Sequence, residues 1–335
     1  MRLLSHICRL LTPGLGVAAI VAGAPVIAQT PRDLAGYALV TTSIRTNDTE
    51  VFIVDPVTGD AFNLTKAPAS EERYPSWSPD GRRVVFTSNR IDASTYDLYI
   101  IDADGTHVRQ LTHLAVGAVA YWPSWTADGR WVYFNEGNAS VIGRVHPDGT
   151  GYEIVTEGRD GNISPDGTRI VYTQRGQTGW GVFTMDANGT NRRQIVPNES
   201  AIGGVAPVWS FDGQRIAYSG QVGEYAEIFA CAADGSHHAQ LTHLQKISSS
   251  PAFSPDGRYL TFRVTDFAYW RDEGAKHAAY TEKAADKRPV YLMKSDGSGV
   301  QVIDVLHYQS GIDGSRAEGR RPMAPAPSRP KGGAR

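Results

Sequence analysis

Short apolar runs recur along the chain and are separated by turns that contain glycine. The runs are four to six residues long and rich in β-branched and aromatic side chains, as at 83–87, 169–173 and 215–219. Asp-Gly or Asn-Gly pairs bound them, and this combination predicts strands joined by tight hairpins. Apolar and polar positions do not alternate cleanly within the runs. We therefore expect each small sheet to be covered on both faces.

One four-residue kernel occurs five times. Its copies are Ser78-Pro79-Asp80-Gly81, Thr126-Ala127-Asp128-Gly129, Ser164-Pro165-Asp166-Gly167, Ser210-Phe211-Asp212-Gly213 and Ser254-Pro255-Asp256-Gly257. The aspartates lie 48, 38, 46 and 44 residues apart, and such a period is typical of stacked supersecondary units. After each kernel come an apolar strand, a variable segment, a second strand, a turn that closes on Gly, and a last strand.

The five aspartates could be a catalytic or metal-binding set, or five copies of one turn. Proline at the second position presets φ, aspartate at the third can accept a hydrogen bond from its own backbone, and glycine follows where a left-handed residue is needed. Ala127 and Phe211 replace the proline in two copies, which a turn tolerates. An active site needs its aspartate once, so the recurrence favours the turn.

The repeat predicts an all-β fold, a six-bladed β-propeller of four-stranded antiparallel blades over residues 36–314. The first blade begins at Tyr37 and has no innermost strand before it. We expect the segment from His307 to Ser310, followed by Asp313-Gly314, to supply that strand and close the ring. Closure removes exposed sheet edges, which would otherwise favour aggregation.

The stretch from Pro75 to Arg90, followed by Asp97 to Thr112, resembles the propeller repeat of TolB-type proteins. The resemblance covers roughly residues 36 to 305. It implies a protein of the periplasmic Tol–Pal envelope system, although the same repeat occurs in prolyl-oligopeptidase-like peptidases and oligogalacturonate lyases. TolB carries an α/β domain before its propeller. Because the repeats start close to the expected leader, we expect only the propeller part here.

The two ends of the chain differ from its body. Arg2 and Arg9 flank a short apolar run and Ala28 offers a cleavage site, so residues 1–28 are predicted to be a signal peptide. An uncleaved N-terminal anchor is the alternative. Residues 315–335 form a basic tail rich in proline and glycine, which we expect to be disordered. After removal of the signal peptide, no segment is long and apolar enough to cross a membrane. We expect a periplasmic or secreted protein.

The charge of the body argues against nucleic acid as a partner. Of 33 basic and 35 acidic residues, two Arg lie in the leader, and six basic and two acidic residues lie from Leu306 onwards. The body from Gln29 to Val305 therefore has a net charge of −8, which repels phosphate backbones. Cys231 is the only cysteine after the leader, so no internal disulfide can form, and we expect it to be buried.

Antiparallel geometry places all Asp-Gly turns on one face of the ring and the irregular connections on the other. Function is expected on the irregular face. Arg73 and Tyr74, with their counterparts Tyr121 and Trp122, lead into the innermost strands and should border the central channel. Aromatic residues and arginine are typical of binding hot spots. The alternative is that they only pack the rim.

An insertion distinguishes the sixth repeat. Its two turn glycines are 40 residues apart, against 20 to 24 in the second to fifth repeats. The added segment contains Tyr269, Trp270 and Arg271. A long loop of aromatic and charged residues suggests a lid or a partner contact. A loop packed on its own propeller is the alternative.

Three further side chains are candidates for ligand contacts. His113 and His243 end the last strands of blades two and five and would face each other across a six-membered ring, where they could share a metal or lie solvated at strand ends. Arg90, like Arg175 and Arg263, follows a second strand and could collect an anionic group. The alternative for these arginines is a salt bridge with the acidic body.

The sequence supports a binding or scaffold protein of the cell envelope that contacts a protein partner, or a small anionic ligand, through the irregular face. The alternative is a propeller lyase or hydrolase that acts on an anionic sugar or small metabolite. The chain lacks Gly-x-Ser-x-Gly, His-Glu-x-x-His and Cys-x-x-Cys motifs. We therefore predict no cofactor and no metal, and the sequence assigns no catalytic residue.

Overall fold

Every regular element that is described is a β-strand. The computed structural model describes residues 38–43, 49–55, 58, 60–137, 140–200, 206–254, 256–265 and 290–302. Within these ranges there is no helix, and hence none of the length and apolarity needed to cross a membrane. The predicted signal peptide, the closing segment at His307–Gly314 and the C-terminal tail lie outside the described residues, so the domain boundaries stay predictions.

The strands follow the predicted repeat. Repeat one contains β1 (Leu39–Ser43), β2 (Glu50–Val54) and β3 (Ala61–Asn63). Repeat two contains β4 (Glu72–Trp77), β5 (Arg83–Asp92), β6 (Thr95–Asp102) and β7 (Arg109–Gln110). Repeat three contains β8 (Ala120–Trp125), β9 (Val132–Glu136), β10 (Val141–Val145) and β11 (Glu153–Glu157).

The same order continues to the end of the described chain. Repeat four contains β12 (Arg159–Ile163), β13 (Arg169–Arg175), β14 (Trp180–Asp186) and β15 (Arg193–Ser200). Repeat five contains β16 (Val208–Trp209), β17 (Arg215–Val222), β18 (Tyr225–Ala232) and β19 (Ala239–Gln240). Repeat six contains β20 (Ile247–Phe253), β21 (Tyr259–Thr265), β22 (Val290–Lys294) and β23 (Gln301–Val302).

Consecutive strands of each repeat pair antiparallel, and the last two repeats share one sheet. A single parallel pair, Ala226 with Ile247, joins β18 to β20. Tyr96 and Val119 make the corresponding parallel bridge between repeats two and three. Stacked four-stranded antiparallel sheets of this kind make a β-propeller. The described part of repeat one has three strands, as predicted, so the full count of six closed blades stays a prediction.

Apolar residues on both faces of the strands hold neighbouring repeats together. In β5, Val84 packs with Val40 and Leu64 of repeat one, whereas the adjacent Val85 packs with Val132 and other residues of repeat three. Six such clusters join the repeats in order. One of them packs Leu39, Phe52 and Val54 of repeat one against Tyr259, Val290 and Leu292 of repeat six. Two-sided burial explains why the runs do not alternate in sequence.

The repeated Ser-x-Asp-Gly kernel is a turn, as predicted. The Asp80 carboxylate accepts hydrogen bonds from the Ser78 hydroxyl at 2.6 Å and the Arg82 amide at 3.0 Å, and Gly81 has a φ of 65°. The other four copies repeat both bonds. Each carboxylate is therefore used within its own hairpin, and the catalytic or metal-binding alternative is not supported.

A second set of carboxylates is buried and was not recognised in the sequence. In three repeats they bind the segment at the outer edge of the sheet. Asp97 in β6 accepts from the Thr112 hydroxyl at 2.7 Å and from the Leu114 amide at 2.9 Å. Glu50 and Glu227 bind Thr65 and Thr242 in the same way. The threonine hydroxyl in turn accepts from the Leu98 amide at 2.9 Å. The backbone pairing ends with the bond from the Leu111 amide to the Leu98 carbonyl, and side chains take its place beyond Leu111. For this reason the last strands are shorter than the predicted runs to His113 and His243.

On the turn face, arginines at the start of second strands lie over aromatic rings of the next repeat. Arg83 lies over the ring of Trp125, Arg169 over Trp209, and Arg215 over Phe253, at 4.7 to 5.7 Å from the ring centroids. The guanidinium of Arg215 also donates to the Ser295 carbonyl at 3.1 Å. Cation–π contacts of this kind add to the apolar clusters between repeats.

Replacement of Asp80 by alanine should lower the free energy of unfolding by about 1 kcal/mol or less, since it removes local and largely solvated hydrogen bonds. Urea unfolding at neutral pH measures the loss. Partner binding at the opposite face should be unchanged. A folded Asp80→Ala protein without binding would contradict the structural role of the turn.

Replacement of Asp97 by alanine should cost more, about 2–3 kcal/mol, because it leaves the buried Thr112 hydroxyl and the Leu114 amide without their acceptor. The control is Asp104→Ala, which removes an exposed carboxylate from a turn of the same repeat and should cost less. Equal urea midpoints for the two variants would contradict the role of the buried carboxylate.

Candidate functional site

The innermost strands share a strained residue near their first end. One residue with a left-handed backbone lies at the same register position in repeats two to six. These residues are Tyr74 (φ 51°), Trp122 (φ 49°), Asp160 (φ 56°), Ala206 (φ 40°) and Ser250 (φ 53°). In four of the strands the pairing with the second strand shifts register at this point, as between Arg73 and Ser76. We call the set formed by these five residues, together with Arg73, Tyr121, Arg159 and Ser249 just before four of them, the channel mouth.

Proline follows the strained residue in four of the five repeats, at positions 75, 123, 207 and 251. A proline has no amide hydrogen, so the bulge leaves no donor there to be satisfied. Gly161 takes this place in repeat four. Its amide donates to Asn135 Oδ1 at 2.9 Å, and a Cβ at Gly161 would lie 2.6 Å from Ile142 Cδ1. Proline would clash there, so a side-chain acceptor from repeat three is needed instead.

Three aromatic rings pack together at the channel mouth between repeats two and three. The ring centroids of Tyr121 and Trp122 are 5.3 Å apart, and Tyr74 lies 6.2 Å from Tyr121 and 6.1 Å from Trp122. Tyr121 is buried, whereas Tyr74 and Trp122 are partly exposed. The sequence predicted Tyr121 and Trp122 to be the counterparts of Arg73 and Tyr74, and all four lie within β4 and β8 rather than before them.

The channel mouth is asymmetric. Repeats two to four place Tyr74, Trp122 and Asp160 at the strained position, whereas repeats five and six place Ala206 and Ser250 there. Large aromatic and charged groups thus occupy one side, and small groups occupy the other.

Arg73, beside Tyr74 in β4, is held by groups of its own repeat. Its guanidinium forms an ion pair with Glu71 and lies 5.3 Å from the centroid of the Tyr96 ring. The Tyr96 hydroxyl donates to the same Glu71 carboxylate at 2.8 Å. This network attaches the start of β4, where the chain enters repeat two, to β6 of the same repeat.

Arg90 lies within β5, which extends to Asp92, rather than after the strand as predicted. It pairs with the fully buried Glu72 at 3.2 Å and lies 4.8 Å from the Tyr99 ring centroid. Glu72 Oε1 also accepts from Ser70 and Ser88, each at 2.7 Å. The salt-bridge alternative is therefore the observed one for Arg90. Arg175 is exposed at the end of β13, and Arg263 is buried in β21.

His113 and His243 are exposed and lie three residues beyond β7 and β19. His243 Nδ1 accepts from Gln240 Nε2 at 2.8 Å, which fits a solvated position near a strand end. Across the described ranges, no group of three His, Cys, Asp or Glu side chains could hold a metal ion. Tyr269, Trp270 and Arg271 lie outside the described residues, so their role stays a prediction.

Two functional candidates were missed by sequence reasoning. Arg159 and Asp160 occupy in repeat four the positions of Tyr121 and Trp122 in repeat three. Their alignment was hidden because Asp160-Gly161 replaces the aromatic-proline pair. The distance to the following Ser-x-Asp-Gly kernel is the same in both repeats, and that spacing was the available signal.

The pKa of Glu72 is raised by its burial, although the hydrogen bonds from Ser88 and Ser70 and the charge of Arg90 oppose the shift. A carboxyl whose pKa rises on folding destabilises the protein as the pH increases from the ordinary glutamate value through the raised one. The stability of the wild type relative to Glu72→Gln should therefore fall across this range, measured by urea unfolding at a series of pH values.

Asp128 provides a control whose contribution to stability changes with pH in the opposite direction. The Thr126 hydroxyl and the Arg130 amide lower the pKa of Asp128 to about 2. Its contribution is complete above the ordinary aspartate pKa and is lost as the pH falls through the lowered value. A stability difference between wild type and Glu72→Gln that rises with pH, as expected for Asp128→Asn, would contradict the account of Glu72.

Comparison with known proteins agrees with the fold and places the chain in a family. Over 219 residues the chain is 28% identical to the protein named Uncharacterized peptidase YuxL of Bacillus subtilis, which corresponds to 65% of this chain and 24% of that protein. Over 86 residues it is 34% identical to the Protein TolB homolog of Chlorobium chlorochromatii, or 26% of this chain and 18% of that one. The chain spans less than half the length of these relatives.

The crystal structure of TolB from Acinetobacter baumannii has a similar fold, with a TM-score of 0.61 and 17% identity over 82% of this chain and 66% of that chain. The model of the TolB beta propeller domain family matches residues 18–204, more than half of the sequence. The chain therefore belongs to the TolB beta propeller domain family.

Proposed function

We propose that the chain is an exported propeller of the cell envelope that binds another protein at the channel mouth. The observation that carries this proposal is the cluster of Tyr74, Tyr121 and Trp122, two of which are held in left-handed conformations by repeated bulges. The regular turns occupy the opposite face, where their carboxylates are engaged within the hairpins.

The backbone strain supports a binding role for this surface. A left-handed conformation costs a residue other than glycine about 1–3 kcal/mol, and such residues are found where a side chain must be held in an unusual direction. Glycine would relieve the strain at positions 74 and 122, yet tyrosine and tryptophan stand there. Bulges also redirect side chains next to binding sites.

The composition of the channel mouth suits a protein partner. Tyrosine, tryptophan and arginine dominate the hot spots of protein interfaces because they bury a large area and retain polar contacts. Repeats five and six have only the small side chains of Ala206 and Ser250 at the equivalent positions. The family supports an envelope role, since TolB-type proteins act in the periplasm, and the predicted signal peptide supports export.

Trp122→Ala should reduce capture of the partner from envelope extract by about tenfold, because a hot-spot truncation costs at least ~1–2 kcal/mol of binding. The full chain, immobilised through its C-terminus, is the bait, and captured proteins are quantified by mass spectrometry. Tyr74→Ala should have a similar effect.

The matched control is Phe211→Ala, which removes an exposed aromatic side chain from a turn on the opposite face. It should leave capture unchanged. If Trp122→Ala and Tyr74→Ala remain folded, as judged by thermal melting, and capture the same proteins in the same amounts as the wild type, the channel mouth is not the binding surface.

A further inference from the structure

Tyr121 and Arg159 occupy equivalent positions in neighbouring repeats and meet at the channel mouth. Each directly precedes a left-handed residue, Tyr121 in β8 and Arg159 in β12. The Arg159 guanidinium lies beside the Tyr121 hydroxyl and 5.5 Å from the centroid of the Trp180 ring. Tyr121 is 9% exposed, and Arg159 is partly buried. The bulges thus bring a phenol and a guanidinium together in a sheltered place.

The Arg159 guanidinium is the side-chain hydrogen-bond partner of the Tyr121 hydroxyl, and this contact raises the pKa of Arg159. Two donors of the pair remain, because the described ranges provide no acceptor in hydrogen-bonding geometry for the buried Arg159 Nε or for the Tyr121 hydroxyl. Buried polar groups are rarely left in this condition, and those that are call for an explanation such as a ligand. Both atoms can act as donors, so the missing component is an acceptor.

The charge of Arg159 is balanced only in part, by the nearby charge of Asp160. Arg73 is paired with Glu71 and Arg90 with Glu72, whereas Arg159 forms no salt bridge with any residue in the part of the chain that is described. The neighbouring Asp160 carboxylate accepts from the Thr173 hydroxyl at 2.8 Å. Arg159 is therefore the cation at the channel mouth that is available to an anion.

The surroundings select the kind of anion. Burial and the charge of Asp160 raise the pKa of Tyr121, so its hydroxyl keeps its proton and stays a donor. The negative charge of Asp160 disfavours a phosphate dianion more than a single charge. A planar carboxylate can accept from a guanidinium and a phenol at once. The three aromatic rings alongside would cover the apolar part of a side chain that carries it.

We propose that the Tyr121–Arg159 pair binds a carboxylate of the protein partner, from an aspartate, a glutamate or a chain terminus that inserts between repeats three and four. This inference rests on the proposed function, because it identifies the group that the channel mouth recognises. The carboxylate accepts from Tyr121 Oη and from the Arg159 guanidinium, and no covalent step is involved.

The test uses the full chain and the probe N-acetylglutamate α-amide, with N-acetylglutamine α-amide as the neutral control of matched shape. The Arg159 Nε–H resonance, assigned by its loss in Arg159→Lys, should shift saturably with the glutamate probe, with a dissociation constant in the millimolar range. The glutamine probe should cause no saturable shift. Absence of a saturable shift with the glutamate probe would overturn the proposal.

Variants separate binding at this pair from general attraction to a cation. Tyr121→Phe, read through the same resonance, should weaken the glutamate probe by about tenfold, the value of one charge-assisted hydrogen bond. Arg175→Gln removes an exposed arginine from the end of β13 in the same repeat and should have no effect. Equal binding by wild type and a folded Tyr121→Phe protein would contradict the proposal.

Galacturonate and inorganic phosphate distinguish other sources of negative charge. Tighter binding of either probe than of the glutamate probe would overturn the assignment to a protein carboxylate. Partner capture distinguishes a failure of the carboxylate site from a failure of the proposed function. Loss of capture in Trp122→Ala but not in Arg159→Gln refutes only the carboxylate site, whereas undiminished capture in Trp122→Ala and Tyr74→Ala refutes the proposed function itself.

Discussion

Two-sided burial of each small sheet is the constraint on which the rest of the structure depends. Adjacent residues of one strand, such as Val84 and Val85, pack against different neighbouring repeats. A repeat that buries apolar side chains on both faces cannot be stable at an open end. The cluster of Leu39, Phe52 and Val54 with Val290 and Leu292 meets this requirement by joining the last repeat to the first. The burial pattern therefore favours a closed ring.

This constraint also determines where polar groups are allowed. Most of the large side chains between the sheets are apolar, and the buried carboxylates lie near the first ends of their strands. The aspartates of the kernel hold the hairpins on the turn face, and Glu50, Asp97 and Glu227 hold the last strands through threonine hydroxyls. Most repeated acidic groups thus serve the scaffold, which leaves the non-repeated residues of the channel mouth as the functional candidates.

The sequence was sufficient to predict features that depend on neighbours along the chain. The Asp80 turn and the strand that follows it are encoded within ten residues, so the repeat and the all-β fold were predicted correctly. The position of Arg90 within β5 is not predictable locally, because nothing nearby in the sequence shows that the strand continues to Asp92. Pairing with β6 and the ion pair with Glu72 support that continuation. Asp97 was missed because its partner Thr112 is 15 residues away.

The strained position could not be predicted from local sequence for a different reason. Tyr74-Pro75 and Trp122-Pro123 look like ordinary extended pairs, since a residue before proline favours extended backbone. Their left-handed conformation follows from the register of the innermost strand, which must gain a bulge and still leave no unsatisfied amide. Proline, which has no amide hydrogen, meets this requirement in four of the repeats. In repeat four, the Asn135 side chain accepts from the Gly161 amide instead.

The need for a bulge in each innermost strand explains the shared backbone of the channel mouth but not its side chains. If low backbone strain were the only requirement, glycine would occupy the bulge in every repeat. If packing were the only requirement, the five residues would resemble each other, as the turn residues do. Instead the scaffold repeats while Tyr74, Trp122, Asp160, Ala206 and Ser250 differ in size and charge. A ring that keeps its backbone and varies its side chains presents one specific, asymmetric surface. Specific recognition of a single partner requires such asymmetry, because a symmetric ring would offer the same contacts in several orientations.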